Sequence, residues 1–347
     1  MHMADALLSP AVGGVMWAAS AGTIAFCSAR LAKEPDDRKV PLMGVLGAFL
    51  FAAQMINFSI PGTGSSGHLS GGLLLTVLLG PCAAFLTIAS VLVVQALFFA
   101  DGGLLALGCN IFNIGFLPAF VAFPVFYRKL IGNDPSRRRL TAVTMLSAVI
   151  GLQLGSFAVL METLCSGISS FPFATFAWLM QPIHLAIGVV EGGVTAAVIC
   201  FVRQARPEML HGAVAAPCRA RRHPGLLPVC LLALALVTAG VFSRFSCKDP
   251  DGLEWSIAGA SGKAGLKSVG QGVQRTLADL QQQSAWFPDY DFRDGARPVA
   301  VPGPAGSLQE ARMPVGTGIA GIVGTLLTLL LAFCVGLLLK RRGPDAS

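Results

Sequence analysis

The chain has 347 residues, of which 54% are hydrophobic and only 12% charged, about half the charged share of an average soluble domain, so an ordinary water-soluble enzyme is excluded and an all-α polytopic membrane protein is indicated. The formal charge of +7 does not call for nucleic acid, because most of the 25 Lys and Arg residues fall in short clusters at 30–39, 128–139, 203–222 and 340–342 beside apolar spans, where the positive-inside rule expects cytoplasmic loops. The 9 cysteines carry no CxxC spacing, so neither a zinc site nor a disulfide framework is predicted.

In chain order, no basic residue precedes Arg30. Residues 1–8 therefore lack the basic start of a secretory signal, and the amino terminus is expected outside and uncleaved. Met1 is expected to be retained, because His2 is too large for ready removal of the initiator. Residues 10–31 form the first span, long enough for about 30 Å of hydrocarbon at about 1.5 Å per residue. Its small residues recur every four positions in two rows (Gly14, Ala18, Gly22 and Ala21, Ala25, Ala29). Such rows allow close helix packing, within the chain or on a separate subunit.

Residues 40–58 return the chain outside and deliver the loop Pro61-Gly62-Thr63-Gly64-Ser65-Ser66-Gly67-His68, whose glycines suit a tightly bent backbone. Residues 69–100 are interrupted by Gly80-Pro81. Two crossings there, and not one, keep the basic cluster at 128–139 inside; the first is short and must be shielded by its neighbours. The next span, 107–126, carries Asn110 and Asn113 on one helical face, where they line a polar cavity or bond between helices. A span at 140–165 follows. The span at 181–202 carries His184 and Glu191, two turns or about 10 Å apart on one face. Ionisable groups at that depth face the interior, as a functional pair or as buried hydrogen bonds.

These spans make a seven-helix bundle over residues 1–205. Residues 206–224 read as a cytoplasmic linker, and 225–347 as a second module: a helix at 225–242, an extracytoplasmic part at 243–314, and a helix at 315–339 that returns the carboxy terminus to the cytoplasm. Within the polar part, Asp251 and Glu254 have capping-box spacing. The run Trp286-Phe287-Pro288-Asp289-Tyr290 is an aromatic cluster suited to docking.

On the outer face, Met1, His2 and His68 converge as a candidate metal site. A free amine, the His2 amide, the His2 imidazole and a second imidazole offer four nitrogens in one plane. That geometry selects Ni(II) or Cu(II), whereas Zn(II) prefers a tetrahedron and Mg(II) or Ca(II) prefer oxygen. A membrane hydrolase using Ser65 or Ser66 with His68 or His184 as base is a competing reading. A metal sensor without transport is another. No GxxxxGK[ST] loop occurs, so the chain is not itself an ATP-driven motor.

The segment Met1-His2-Met3-Ala4-Asp5-Ala6-Leu7-Leu8-Ser9-Pro10 resembles the amino terminus of the NikM/CbiM family, the substrate-binding S components of energy-coupling factor transporters for nickel and cobalt. Gly67-His68-Leu69-Ser70-Gly71-Gly72, Ala100-Asp101-Gly102-Gly103, Asn110 to Asn113, and Pro182 to Gly192 fit the same family, and residues 250–254 resemble the namesake motif of its NikN/CbiN accessory component. The resemblance implies Met1, His2 and His68 as ligands of a transported Ni2+ or Co2+ in an outward-opening pocket. It implies no enzymatic activity in the chain, and a location in the cell inner membrane. It further implies a membrane coupling subunit packed on the first helix and cytoplasmic ATPases as partners, and a carboxy-terminal module that helps load metal. Nickel is the expected cargo, with cobalt for cobalamin synthesis as the alternative.

Overall fold

The computed structural model describes residues 2–33, 39–169, 171–205, 210, 226–261, 272–293 and 315–341. The helices are α1 (Pro10–Lys33), α2 (Lys39–Gln54), α3 (Gly72–Leu79), α4 (Pro81–Phe99), α5 (Leu107–Ile131), α6 (Arg137–Ser166), α7 (Phe173–Ala205), α8 (Leu226–Gly240), α9 (Gly252–Ser261), α10 (Val273–Ser284) and α11 (Val315–Arg341). One antiparallel hairpin, β1 (Phe58–Ile60) and β2 (Ser65–Gly67), pairs Phe58 with Gly67 and Ile60 with Ser65. Among the described residues six helices are long and apolar enough to cross a membrane: α1, α4, α5, α6, α7 and, over Gly316–Lys340, α11. The apolar helices α2 and α8 are shorter.

Gly80 breaks the long apolar run at 72–99, with φ 82° and ψ 162°, and Pro81 opens α4, where its missing N–H costs nothing. All eight residues of α3 are buried, which meets the expectation that this short segment is shielded. Within α5, Phe112–Tyr127 is wound as a wider π-helix that contains Pro118 and Pro124. Each proline removes a donor from the ordinary ladder. Helix α7 begins at Phe173, well before the expected start near Gln181, because the buried series Phe176, Met180, Ile183, Ile187 and Glu191 continues one helical stripe backwards.

The fully buried residues of helix α1 form a narrow stripe, Gly13, Ser20 and Cys27, with Val12, Met16, Ile24 and Leu31 partly buried beside it. Ser20 donates to the Gly108 carbonyl (2.7 Å) and Trp17 Nε1 to that of Leu104 (2.9 Å). Both small-residue rows read from the sequence are exposed instead, and a Cβ on Gly14 or Gly22 would meet nothing. Among the described residues these rows are not used for close packing.

Helices α6 and α7 run side by side, and α11 lies along α2 and α4 with α8 beside it. Close approach comes from glycine: Gly44 of α2 faces the Leu329 carbonyl, Gly336 faces Val40, and Gly324 leaves room for the Phe51 ring. Between α8 and α11, the short helices α9 and α10 rest on α7 and α4, respectively. The amphipathic α10 was not foreseen, since the polar segment carries few apolar residues to mark it. The expected linker at 206–224 lies outside the described residues, apart from Leu210.

Candidate metal site

The segment from His2 to Leu8 is held by side chains that imitate a backbone ladder. Met3 N donates to Asn110 Oδ1 (2.8 Å), Asn110 Nδ2 donates to the Met3 carbonyl (3.3 Å), and Gly103 N donates to the same oxygen (2.9 Å). Asp5 Oδ1 accepts from Ala106 N (2.9 Å). Met3, Leu7 and Leu8 are wholly buried, so apolar anchors alternate with polar ties. Gly102 has φ +78°, and a Cβ there would stand 2.8 Å from Asn110 Nδ2 and 3.2 Å from His2 Cβ. Only glycine serves at that position. Asn110 thus anchors the terminus, while Asn113 Nδ2 reaches Glu162 Oε2 across to α6 (2.8 Å) as a bond between helices.

The second arm is the β-hairpin. Gly62 and Gly64 take left-handed φ of 78° and 70° in its turn. Gly67 has a different reason: a Cβ there would lie 2.5 Å from Ile187. Immediately after His68 the chain is clamped by Glu191, whose carboxylate accepts from Ser70 N (3.0 Å), Ser70 Oγ (2.6 Å) and Gly71 N (3.1 Å). His184 Nδ1 bonds the Met180 carbonyl (2.8 Å), and its ring lies under Gly252, where a Cβ would stand 3.2 Å from Cε1. Both residues support the His68 loop and its cover from behind.

These arms place the His2 and His68 rings in a stack, centroids 5.2 Å apart and planes 8° from parallel. His2 Nδ1 stands 3.2 Å from Asp101 Oδ1, and the Tyr290 hydroxyl donates to Asp101 Oδ2 (2.5 Å). His2 Nε2 is buried with no hydrogen-bond partner among the described residues. The rings border a cavity of about 790 Å³ that Asp101, Asp251, Glu254 and Tyr290 also line. Desolvation pushes the His68 imidazole down to about 3, so at neutral pH it is uncharged. Burial opposes ionisation of Asp101, but the adjoining His2 ring and the Tyr290 hydroxyl outweigh it and hold its carboxyl below the usual range.

Among the described residues no three His, Cys, Asp or Glu side chains form a ready metal cage. A donor set completed by backbone and terminal nitrogens is a different kind of site, and Met1 lies outside the described residues. Two parallel stacked rings carry their in-plane lone pairs in separate planes, so one ring must turn before both can meet a single ion. The serines of the hydrolase reading are otherwise engaged: Ser66 Oγ donates to the Asp249 carbonyl (2.7 Å) and Ser65 pairs with Thr63 (2.9 Å).

The accessory segment enters through that same strand. Ser66 N donates to the Pro250 carbonyl (2.8 Å), and Ser66 and Asp251 form a parallel bridge. Asp251 Oδ1 then accepts from Leu253 N (2.9 Å) and Glu254 N (2.8 Å), and Glu254 Oε2 accepts in return from Asp251 N (3.4 Å). This is the capping box read from the sequence. Sequence reasoning did not assign Asp5, Asp101 or Tyr290 to the site. The signal for Asp101 was its place between a helix end and two glycines.

The family of cobalt uptake substrate-specific transmembrane regions, CbiM, matches residues 2–209. The chain belongs to the CbiM family. Its second module, residues 226–341, matches the PDGLE domain, so this is a CbiM chain fused to a PDGLE partner. A putative fused nickel transport protein NikMN of Archaeoglobus fulgidus is 30% identical over 337 residues, covering 96% of this chain and 98% of that protein. The fused nickel transport protein NikMN of Rhodobacter capsulatus is 29% identical over 342 residues, covering 93% and 96%. The crystal structure of a truncated transition metal transporter superposes with TM-score 0.52 at 29% identity, over 59% of this CbiM chain and 99% of that one. These relatives are named as transporters, not enzymes.

Proposed function

We propose that this chain captures a divalent transition-metal ion, nickel, at the outer face of the cytoplasmic membrane, as the substrate-specific component of an energy-coupling factor transporter. The Met1 amine, the His2 amide and imidazole, and the His68 imidazole are its ligands. One observation carries the reading: two histidines remote in sequence meet ring to ring over a cavity, and one nitrogen of His2 is buried there without a partner among the described residues. Four nitrogens in a plane favour nickel over cobalt or zinc, in keeping with the naming of the full-length relatives for nickel. Cobalt uptake by the same mechanism is the second reading, favoured by the family's description.

In this reading residues 1–205 form the S-component bundle. The buried α3 and the shorter α2 complete a set of seven helices with α1, α4, α5, α6 and α7. The amino terminus faces outside. Residues 206–224 are a cytoplasmic linker and 225–347 the accessory module, whose carboxy terminus lies inside with the basic cluster at 340–342. The exposed small-residue rows of α1 support contact with a membrane coupling subunit, and separate cytoplasmic ATPases supply the energy.

The test is binding of Ni2+ to the purified protein by titration calorimetry and absorption. A yellow, diamagnetic complex is expected, lost when one residue is added before Met1 or when His2→Ala is made, with expression unchanged. Full binding by either variant overturns the reading.

A further inference from the structure

We infer that Asp101 and Tyr290 are positioning residues that set the His2 ring for the metal, so that the accessory module controls a ligand of the other module through a two-bond chain, Tyr290 to Asp101 to His2. The inference rests on the reading of His2 as a ligand. Tyr290 belongs to the PDGLE module, yet its hydroxyl reaches Asp101 Oδ2 at 2.5 Å, while Asp101 Oδ1 holds His2 Nδ1 at 3.2 Å. The chain is built under strain. Among the described residues the non-glycine positions with left-handed φ are Ala100 (55°), Asp289 (51°) and Tyr290 (61°), and all three lie at or next to the two residues of this relay. Strained backbone of that kind persists where its surroundings over-determine it and gathers at functional sites. The Tyr290 ring is also fixed by stacking on Phe99, centroids 5.0 Å apart.

A chelate closed between an imidazole and the amide of its own residue uses Nδ1, the nearer nitrogen. In the structure Nδ1 faces Asp101, and Nε2 is buried without a hydrogen-bond partner among the described residues. A half-turn about Cβ–Cγ exchanges the ring's two edges. It frees Nδ1 for the metal and turns the edge bearing Nε2 towards the same carboxylate. One proton leaves Nδ1 and one arrives at Nε2, so the ring's charge is unchanged. Asp101 grips the empty ring through Nδ1–H; after the half-turn its carboxylate swings along the same ring edge to meet Nε2–H, and the loaded state is a carboxylate–histidine–metal triad. The half-turn leaves the His2 ring in its own plane, so the turn that brings both lone pairs to one ion is made by the His68 ring.

The experiment uses the full chain with Ni2+ as probe. Nitrogen-15 NMR of the His2 ring should show the proton on Nδ1 in the empty protein and on Nε2 in the nickel-loaded one; an unchanged tautomer overturns the inference and needs no variant. In titrations, Asp101→Asn should weaken Ni2+ binding about 10–100-fold and Tyr290→Phe about 10-fold, with the planar absorption spectrum retained. The double variant should bind no more weakly than Asp101→Asn alone. Fully additive losses, or wild-type affinity in Tyr290→Phe, also overturn it. If the wild-type protein gives no planar nickel complex, the metal-site reading itself has failed; if it does and the ring proton stays, only this inference has.

Discussion

Glu191 shows what an acid near the middle of a membrane helix is for in this protein. It is 2% exposed and answers three donors of the Ser70-Gly71 turn, the turn that directly follows His68. Seven positions earlier on the same face, His184 bonds its own helix and supports the accessory segment. The acid thus acts as a clamp on the loop that carries the candidate ligand His68. Glu191→Gln replaces one acceptor by a donor that faces N–H groups, a mismatch that costs about 1–3 kcal/mol. Ni2+ affinity should drop about 10-fold, the equivalent of about 1.4 kcal/mol, together with a lower melting temperature. A variant that melts and binds like the wild type would show that the clamp is idle.

At the level of elements, the hairpin and α9 form one unit. Strand β2 gives Ser66 to the Pro250 carbonyl and to the bridge with Asp251, and Asp251 at once caps α9. One residue therefore serves as edge partner of a strand and as start of a helix. Removing the cap with Asp251→Ala should cost about 1 kcal/mol locally. Hydrogen exchange should rise at the amides of Leu253 and Glu254 and at Ser66, while α6 remains protected. Unchanged exchange at Ser66 would mean that the strand does not depend on the cap. Helix α1 is the opposite case: its fully buried residues form one stripe of three, flanked by partly buried Val12, Met16, Ile24 and Leu31, and among the described residues its other face is exposed.

On the scale of the whole molecule, the accessory module is interlocked with the metal-site module at both ends. Its membrane helix α11 lies against α2 with Gly324 over Phe51. Its helix α10 reaches the segments beside the candidate site: Gln281 Nε2 donates to the carbonyls of Ala96 (2.9 Å) and Gly102 (2.6 Å), and Gln274 Nε2 to that of Leu8 (2.6 Å). Gly324→Val inserts a branched side chain where Phe51 and Phe99 leave no room. Overpacking of this kind costs about 1–3 kcal/mol. The variant should melt several degrees lower in detergent and take up Ni2+ more slowly, although no site residue has changed. Wild-type melting would show that α11 seats itself without this contact.

The spans, the interruption at Gly80-Pro81 and the capping box were legible in the sequence because each is set locally, by hydropathy over consecutive residues, by backbone restriction or by a three-residue spacing. The start of α7 was misplaced because its first turns are a Phe-rich stretch that also suits a loop. His2 and His68 could be named as a pair from chain order and charge. What holds them could not: the tie from Asn110 to Met3, the clamp of Glu191 on Ser70 and the bond from Tyr290 to Asp101 join residues 107, 121 and 189 positions apart. No local pattern encodes such contacts. Hydropathy and spacing determined the helices and the candidate ligands of this protein; side-chain bonds between distant helices decided which polar residues hold the candidate ligands in place.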